Sequence, residues 1–537
     1  MNKPGTDTQY PRGLPPFPVV LAAAFLLRMV LAWKLPLLGD EVGTWIYMGR
    51  DARTLLTEFR EPWLSMGPFI LLCKIIGAVF GEHPLILRLP VLLAGVATLP
   101  YLAGIVRRLG GGELAARLVV ILGAFHPYLV SQSVNLRSYA LLIFCTAGGL
   151  YYLLRWLEQR TWSSGFLCGA LCGLGWLSHF NMVYALAALG AIGAWGACTP
   201  WSHVRMRSRL WDIRSIVVPV ILFLLPAALY HAQVWSDMLH FRQAWSGPAP
   251  STVDYLPEWA RSFFGSGWWV YPSLFLTLGG WIHAVRHSPR VAIILALGVV
   301  VPMVLYAATG AQHYPWGSTR LLVVVLPFLL IQMALALSAL RQFPHALWGG
   351  LCLVLASWAP GLEAKWKDAT QFPWRDVQSY LATVVGDQQR ILAPGHGQLH
   401  LMPGFRETPW KLMAVNDYLA EAEAAKQAAS VLFLVTTQRL DGRTEPHKEF
   451  GEVFIYRYEG DSRREIAVDI VRDIQQTLHG EANPNRVALA QSALDLMMAL
   501  AWNPAETLEM QQLYFHSLLQ SSRGRFMPIA QREKLFP

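Results

Sequence analysis

Charge is scarce in this chain: 15% of its 537 residues are Asp, Glu, Lys or Arg, while 54% are hydrophobic and 22 are tryptophan. A soluble protein carries about a quarter charged residues, so this balance excludes a wholly water-soluble molecule and puts most of the chain in lipid. Acidic residues are scarcest in the first 361 positions, with 13 against 25 Lys and Arg; beyond them the balance reverses to 22 acidic and 19 basic. The net charge of +9 therefore belongs to the apolar part. Short basic loops there set membrane orientation, and a nucleic-acid partner loses its support.

Cysteine is equally sparse. All six (Cys73, Cys145, Cys168, Cys172, Cys198 and Cys352) fall in apolar runs, which speaks against a disulfide framework or a Cys-based zinc site. Cys168 and Cys172, at helical i,i+4 spacing, read as small packing residues. There is no Gly-rich phosphate loop, zinc spacing, nucleophile-base pattern, internal repeat or low-complexity linker, and His396-Gly-Gln-Leu-His400 is too little to make a site.

What is present is a series of apolar runs. They lie near 18–36, 88–106, 114–130, 138–157, 165–179, 181–198, 214–233, 269–285, 291–309, 320–340 and 346–361. Each is long enough to approach the thickness of a bilayer core, which predicts a polytopic α-helical membrane protein of about eleven spanning helices. The first run follows Lys3 and Arg12, is long for a signal peptide and has no A-x-A site after it, so it reads as a retained helix.

A further run, 66–81, is short, contains Lys74 and is bounded by Gly-Pro and Gly-Glu. If it does not span, Lys3, Arg12, Arg107, Arg108, Arg155, Arg160, Arg205, Arg207, Arg209, Arg214, Arg286, Arg290 and Arg341 all share one side; if it spans, the set is split after Arg12. The positive-inside rule therefore makes 66–81 an interfacial or re-entrant helix in a bacterial inner membrane protein with a cytoplasmic N-terminus. Residues 1–361 then form the transmembrane domain, with extracytoplasmic loops at 37–87 and 234–268. The periplasmic remainder divides into an α/β domain over 362–460, with β-like runs RILAP, VLFLVT and EVFIYRY, and a helical extension over 461–537 whose apolar residues recur at 3.6 spacing.

Chemistry is expected on the outer side. Asp40 and Glu41 stand together just after the first helix, where a carboxylate held in a folded loop can act as a general base; alternatively, Asp40 is the N-cap of the segment it opens. Arg137 and Tyr139 lie in HPYLVSQSVNLRSYALL, at an outward turn. Arginine there suits a phosphate, or else snorkels beside a belt tyrosine. His313, Tyr314 and Arg320 sit in GAQHYPWGSTRLLVVVLP, and Arg320 at that depth needs a partner or ligand. His179, in the turn SHFN, is a polar site residue or a turn cap, and Arg28 is structural or functional; both readings stay open.

These motifs, with the HPLILRLP turn, the RRLGG before the next helix and the later WRDVQSYL, resemble the GT-C class of integral membrane glycosyltransferases. The pattern is similar to protein O-mannosyltransferases and to the aminoarabinose transferases that modify lipid A, over residues 18–340. The resemblance implies Asp40 as catalytic carboxylate with Glu41 in support, a polyprenyl-phosphate sugar donor, and a lipid, glycan or protein acceptor attacking with inversion. It implies Arg137 and Arg320 at the donor phosphate, and Tyr139, His179, His313 and Tyr314 as substrate-binding residues. Some family members hold a divalent metal through a second outer-loop acid, which has no clear equivalent here. A transporter or flippase, which would show inverted repeats and midplane charges, and a non-catalytic scaffold of envelope-polysaccharide assembly are the rival readings.

Overall fold

The computed structural model describes residues 14–35, 37, 40–57, 66–199, 209–245, 256–265, 268, 270–308, 320, 322–370, 374–385, 390–392, 411–413, 432–436, 446–450 and 453–458. Chain contacts divide the protein into two units. One comprises Met1–Trp33, Ile46–Ser246 and Pro250–Trp366, the other Lys34–Trp45, Gly247–Ala249 and Lys367–Pro537.

Proline decides where several helices of the first unit begin. At a helix start it has no N–H to lose and its fixed φ already suits the helix, although Pro90 and Pro100 also lie inside the helix Pro84–Arg108. The two His-Pro pairs show this: α5 (Pro84–Arg108) starts with His83 Nδ1 accepting from Leu85 N at 3.3 Å, and α7 (Pro127–Ser133) with His126 Nδ1 accepting from Leu129 N at 3.4 Å. Before them come α1 (Phe17–Lys34), α2 (Asp40–Met48, of which only Ile46–Met48 belong to this unit), α3 (Ala52–Thr57) and α4 (Gly67–Phe80), with α6 (Gly112–Phe125) between the two pairs. The bundle continues through α8 (Tyr139–Gln159), α9 (Trp162–Ser178), α10 (Met182–Cys198), α11 (Arg209–Trp245), α12 (Leu256–Phe264), α13 (Val270–His287), α14 (Pro289–Ala308), α15 (Leu326–Ala339) and α16 (Pro344–Thr370).

Every apolar run of the sequence carries a helix, yet the boundaries differ in three places. The run 114–130 breaks at His126-Pro127 into α6 and α7, bent by 60°. In the run 320–340 Arg320 is helical, a 3-10 turn follows over Val323–Val325, and a second helix starts at Leu326 with Pro327 in its first turn. α11 runs on to Trp245 and α12 follows, so much of the expected loop 234–268 is helix. By length and composition the described residues hold seven spanning helices, or eight with the bent pair. That is fewer than the eleven runs: α9 and α10 have 17 residues each and rise only about 26 Å, and the 18-residue α13 is not among the spanning helices.

Three cations of the apolar part serve helix ends. The last carbonyls of a helix have no intrahelical donor, and a cation meets them together with the negative end of the helix dipole. Arg28, buried in α1, donates through Nη1 to Ala24 O at 3.0 Å and Ala124 O at 2.9 Å, and through Nη2 to Gly123 O at 3.3 Å. Gly123 and Ala124 lie in the final turn of α6, whose carbonyls the break at Pro127 leaves exposed. Arg28 is therefore structural. Arg88 likewise donates to Ala32 O near the end of α1, at 3.1 Å, and Lys74 of α4 to Met48 O and Arg50 O at the end of α2.

Helices α9 and α11 meet at backbone distance because α9 carries Gly165, Gly169 and Gly173 on one stripe. A Cβ at Gly169 would stand 2.7 Å from Pro219 O, and one at Gly173 would stand 2.6 Å from Phe223 O. Small residues at four-residue spacing permit this approach between membrane helices. Cys168 and Cys172 lie buried beside that stripe, with Cys168 Sγ 3.5 Å from Gly149 O of α8.

In the second unit, α17 (Trp374–Val384) covers a five-stranded mixed sheet of order β2-β1-β3-β5-β4. The strands are β1 (Arg390–Leu392), β2 (Lys411–Met413), β3 (Leu432–Thr436), β4 (Lys448–Phe450) and β5 (Val453–Tyr458). β1 runs parallel to β2 and β3, β3 pairs antiparallel with β5, and β4 with β5. The core is built from alternate strand positions, Ile391, Phe433, Val435, Val453 and Ile455, against Val377, Leu381 and Val385. The helices read over 461–537 lie outside the described residues.

Candidate functional site

The turns of the first unit carry two different sets of contacts. At one end, Arg108 pairs with Glu158, Arg107 Nε donates to Glu113 Oε2 at 2.7 Å, and Trp156 Nε1 donates to Ser215 Oγ at 2.8 Å. The Arg107 hydrogen bond holds the Glu113 carboxyl below the usual carboxylate range. These are the contacts of a structural seam.

The other end is different in kind. There the α7–α8 turn meets the α9–α10 turn, with the rings of Tyr139 and His179 5.0 Å apart. Arg137, in the first turn, is buried, and Arg137 and His231 both act electrostatically on His179. His179 Nδ1 accepts from Asn181 N at 3.0 Å, so this histidine does cap its turn while also facing the site. His231, from α11, fixes its tautomer by turning Nε2 to Trp176 O at 2.7 Å: the carbonyl accepts, so Nε2 carries hydrogen and Nδ1 is the acceptor. Trp176 stacks on the His231 ring at 5.5 Å, and Phe180 and Tyr230 pack against its edges.

Among the described residues, Trp176 Nε1, Asn181 Nδ2 and His231 Nδ1 are buried polar atoms with no hydrogen-bond partner. Two donors and one acceptor left unpaired in a bundle interior cost energy unless a ligand or water meets them. Such a set, beside a buried arginine, suits a hydroxylated, anionic ligand. At the same end a cleft of about 200 Å³ opens between α7, α12 and α16, lined by Tyr128, Ser131, Arg261, Ser357, Trp358 and Lys365 among others. Its wall is braced by His126, whose Nε2 lies 3.0 Å from Phe263 O and whose ring meets Trp358 edge-on at 4.6 Å.

The sequence-derived site residues fall as follows. Arg137, Tyr139 and His179 come together as described; Arg320 is half-buried in the same unit; His313 and Tyr314 lie outside the described residues. Asp40 is the first residue of α2, and Glu41 beside it is buried, both in the second unit. Sequence reasoning missed Trp176, Asn181 and His231. A histidine inside the apolar run of α11 was the available signal, since ionisable groups in such runs are rarely idle. Among the described residues no three His, Cys, Asp or Glu side chains gather as a metal ion would need, and no step below is routed through one.

Residues 66–230 match the family model described as dolichyl-phosphate-mannose-protein mannosyltransferase. No curated relative matches the sequence. The fold is similar to that of ArnT from Cupriavidus metallidurans in the apo state, with a TM-score of 0.55 at 12% identity over 82% of this chain and 97% of that one. It is also similar to the same ArnT bound to undecaprenyl phosphate, with a TM-score of 0.54 at 12% identity over the same 82% and 97%. Residues 66–230 thus carry the pattern of a mannosyltransferase family, and the fold is similar to that of ArnT, a likeness that agrees with the GT-C resemblance of the sequence.

Proposed function

We propose that the protein transfers a sugar from a polyprenyl-phosphate-linked donor to an acceptor hydroxyl on the extracytoplasmic face of the bacterial inner membrane. The observation that carries this reading is the gathering of a buried Arg137, Tyr139 and His179 with unpaired polar atoms at one end of the bundle. That the similarly folded ArnT has a structure bound to undecaprenyl phosphate supports a lipid phosphate as the ligand.

In the proposed reaction, Asp40 accepts the proton of the acceptor hydroxyl as its oxygen forms a bond to the anomeric carbon. The bond from that carbon to the donor phosphate breaks, its electron pair leaves with the lipid phosphate, and the configuration inverts. Arg137 and Arg320 neutralise the charge that develops on the phosphate, a task for fixed cations. A phosphate is a good leaving group, so positioning supplies most of the remaining acceleration. Glu41 supports Asp40, while Tyr139, His179, His313 and Tyr314 hold the sugar or acceptor. The periplasmic α/β domain would meet the acceptor.

Asp40→Asn is the direct test. The variant should reach the membrane in normal amount and transfer no sugar; full activity would remove Asp40 from the mechanism.

A further inference from the structure

Helix α4 is apolar on every side but carries one charge. Ile75, Val79 and Phe80 are 53%, 67% and 68% exposed, a stripe that a lipid interface would cover, while Phe69, Ile70, Cys73 and Gly77 are buried. Lys74 is the single ionisable side chain between these faces. Its Nζ donates to Met48 O at 3.0 Å and Arg50 O at 2.6 Å, the last residue of α2 and the second residue beyond it. Met48 also rests its side chain on α4, with Cε 3.1 Å from the position of a Cβ at Gly77, and Gly67 lies beneath the Leu55 carbonyl of α3. Between α2 and α3, Asp51 caps the second helix, accepting from Thr54 N at 2.9 Å and Thr54 Oγ1 at 2.6 Å.

These contacts matter because α2 is short. Its nine residues are fewer than the roughly 12 to 15 that an isolated helix needs to persist. Its place is therefore set by tertiary contacts: the burial of Val42, Thr44, Trp45 and Met48 along the helix and, at its C-terminal end, the grip of Lys74.

We infer that Lys74 is a positioning residue for sugar transfer, clamping the end of α2 onto the lipid-facing helix α4 and so aiming the helix that Asp40 opens. This rests on the proposed role of Asp40. A group displaced by about 1 Å from its reacting partner loses on the order of a hundredfold in rate. Release of α2 should thus slow the reaction without weakening the hold on the donor phosphate.

The test uses the full-length protein in vesicles from its native host, whose membranes supply donor and acceptor, with undecaprenyl phosphate as competing probe. The initial rate of transfer should fall at least about tenfold in Lys74→Met and return to within about threefold of wild type in Lys74→Arg, which keeps the donors. The undecaprenyl phosphate concentration that halves transfer should stay unchanged. Amide hydrogen exchange over residues 41–50 should quicken in Lys74→Met alone. A wild-type rate or unaltered exchange in Lys74→Met beside an inactive Asp40→Asn overturns the clamp and leaves the Asp40 reading standing. A loss that arginine does not restore also overturns it, and an active Asp40→Asn sinks the Asp40 reading instead.

Discussion

Arg28 Nη1 of α1 donates to Ala124 O at 2.9 Å, across 96 positions of sequence. The bond exists because Pro127 stops α6 in mid-bundle and leaves carbonyls that no backbone amide can reach. An arginine inside an apolar helix is here the price of a break in another helix.

Arg28→Met should therefore lower stability sharply. Each buried carbonyl left without a donor costs about 1–3 kcal/mol, and Gly123 and Ala124 would both lose theirs. The midpoint of thermal unfolding in detergent should drop by several degrees, with Arg28→Lys in between. An unmoved midpoint would mean that water replaces the guanidinium.

Arg137→Ala should weaken binding of undecaprenyl phosphate by roughly 10- to 100-fold, the equivalent of a charge-assisted hydrogen bond of about 1.5–3 kcal/mol. Arg137→Lys should recover only part, because an ammonium lacks the planar fork. Equal affinity in all three proteins, read by titration of the purified protein, would return Arg137 to a packing role.

Gly169→Ala places a methyl group 2.7 Å from Pro219 O and should cost about 1–3 kcal/mol as α9 and α11 are forced apart. Gly190→Ala is the control. No atom lies within 4 Å of a Cβ at Gly190, so that variant should unfold at or above the wild-type temperature. Equal behaviour of the two variants would discount the close approach.

The Glu113 carboxyl, held below its unfolded value of 4.5 by the Arg107 hydrogen bond, contributes stability above that pH. That contribution disappears as pH falls through the lowered folded value. Glu113→Gln should thus lower the unfolding midpoint slightly at pH 7, by the ~0.2–1 kcal/mol of an exposed ion pair, and converge with wild type in strong acid. A difference that persists unchanged in acid would assign the effect to packing.

Much of this architecture is legible in the chain. The His-Pro pairs announce helix starts because proline suits a first turn and the histidine can cap it, and the apolar runs reveal their helices by length. Cys168 and Cys172 read as packing residues and are buried as such. What stays hidden depends on partners distant in sequence. Arg28 could not be assigned from α1 alone, since the carbonyls it serves appear only when α6 is cut short. The same holds for Lys74, which made the 66–81 run look ambiguous while its partners lie at Met48 and Arg50. His231 escaped notice because its run is otherwise apolar, and Asn181 because its side chain gains meaning only beside the α7–α8 turn.

The glycine stripe of α9 gives the bundle a mechanical property. With Gly169 and Gly173 set against the Pro219 and Phe223 carbonyls, α9 and α11 share one close-packed seam. Trp156 and Ser215 anchor its foot, and Trp176 and His231 cross near its head. A side chain added at Gly169 or Gly173 would therefore disturb the contacts at both ends of the pair together.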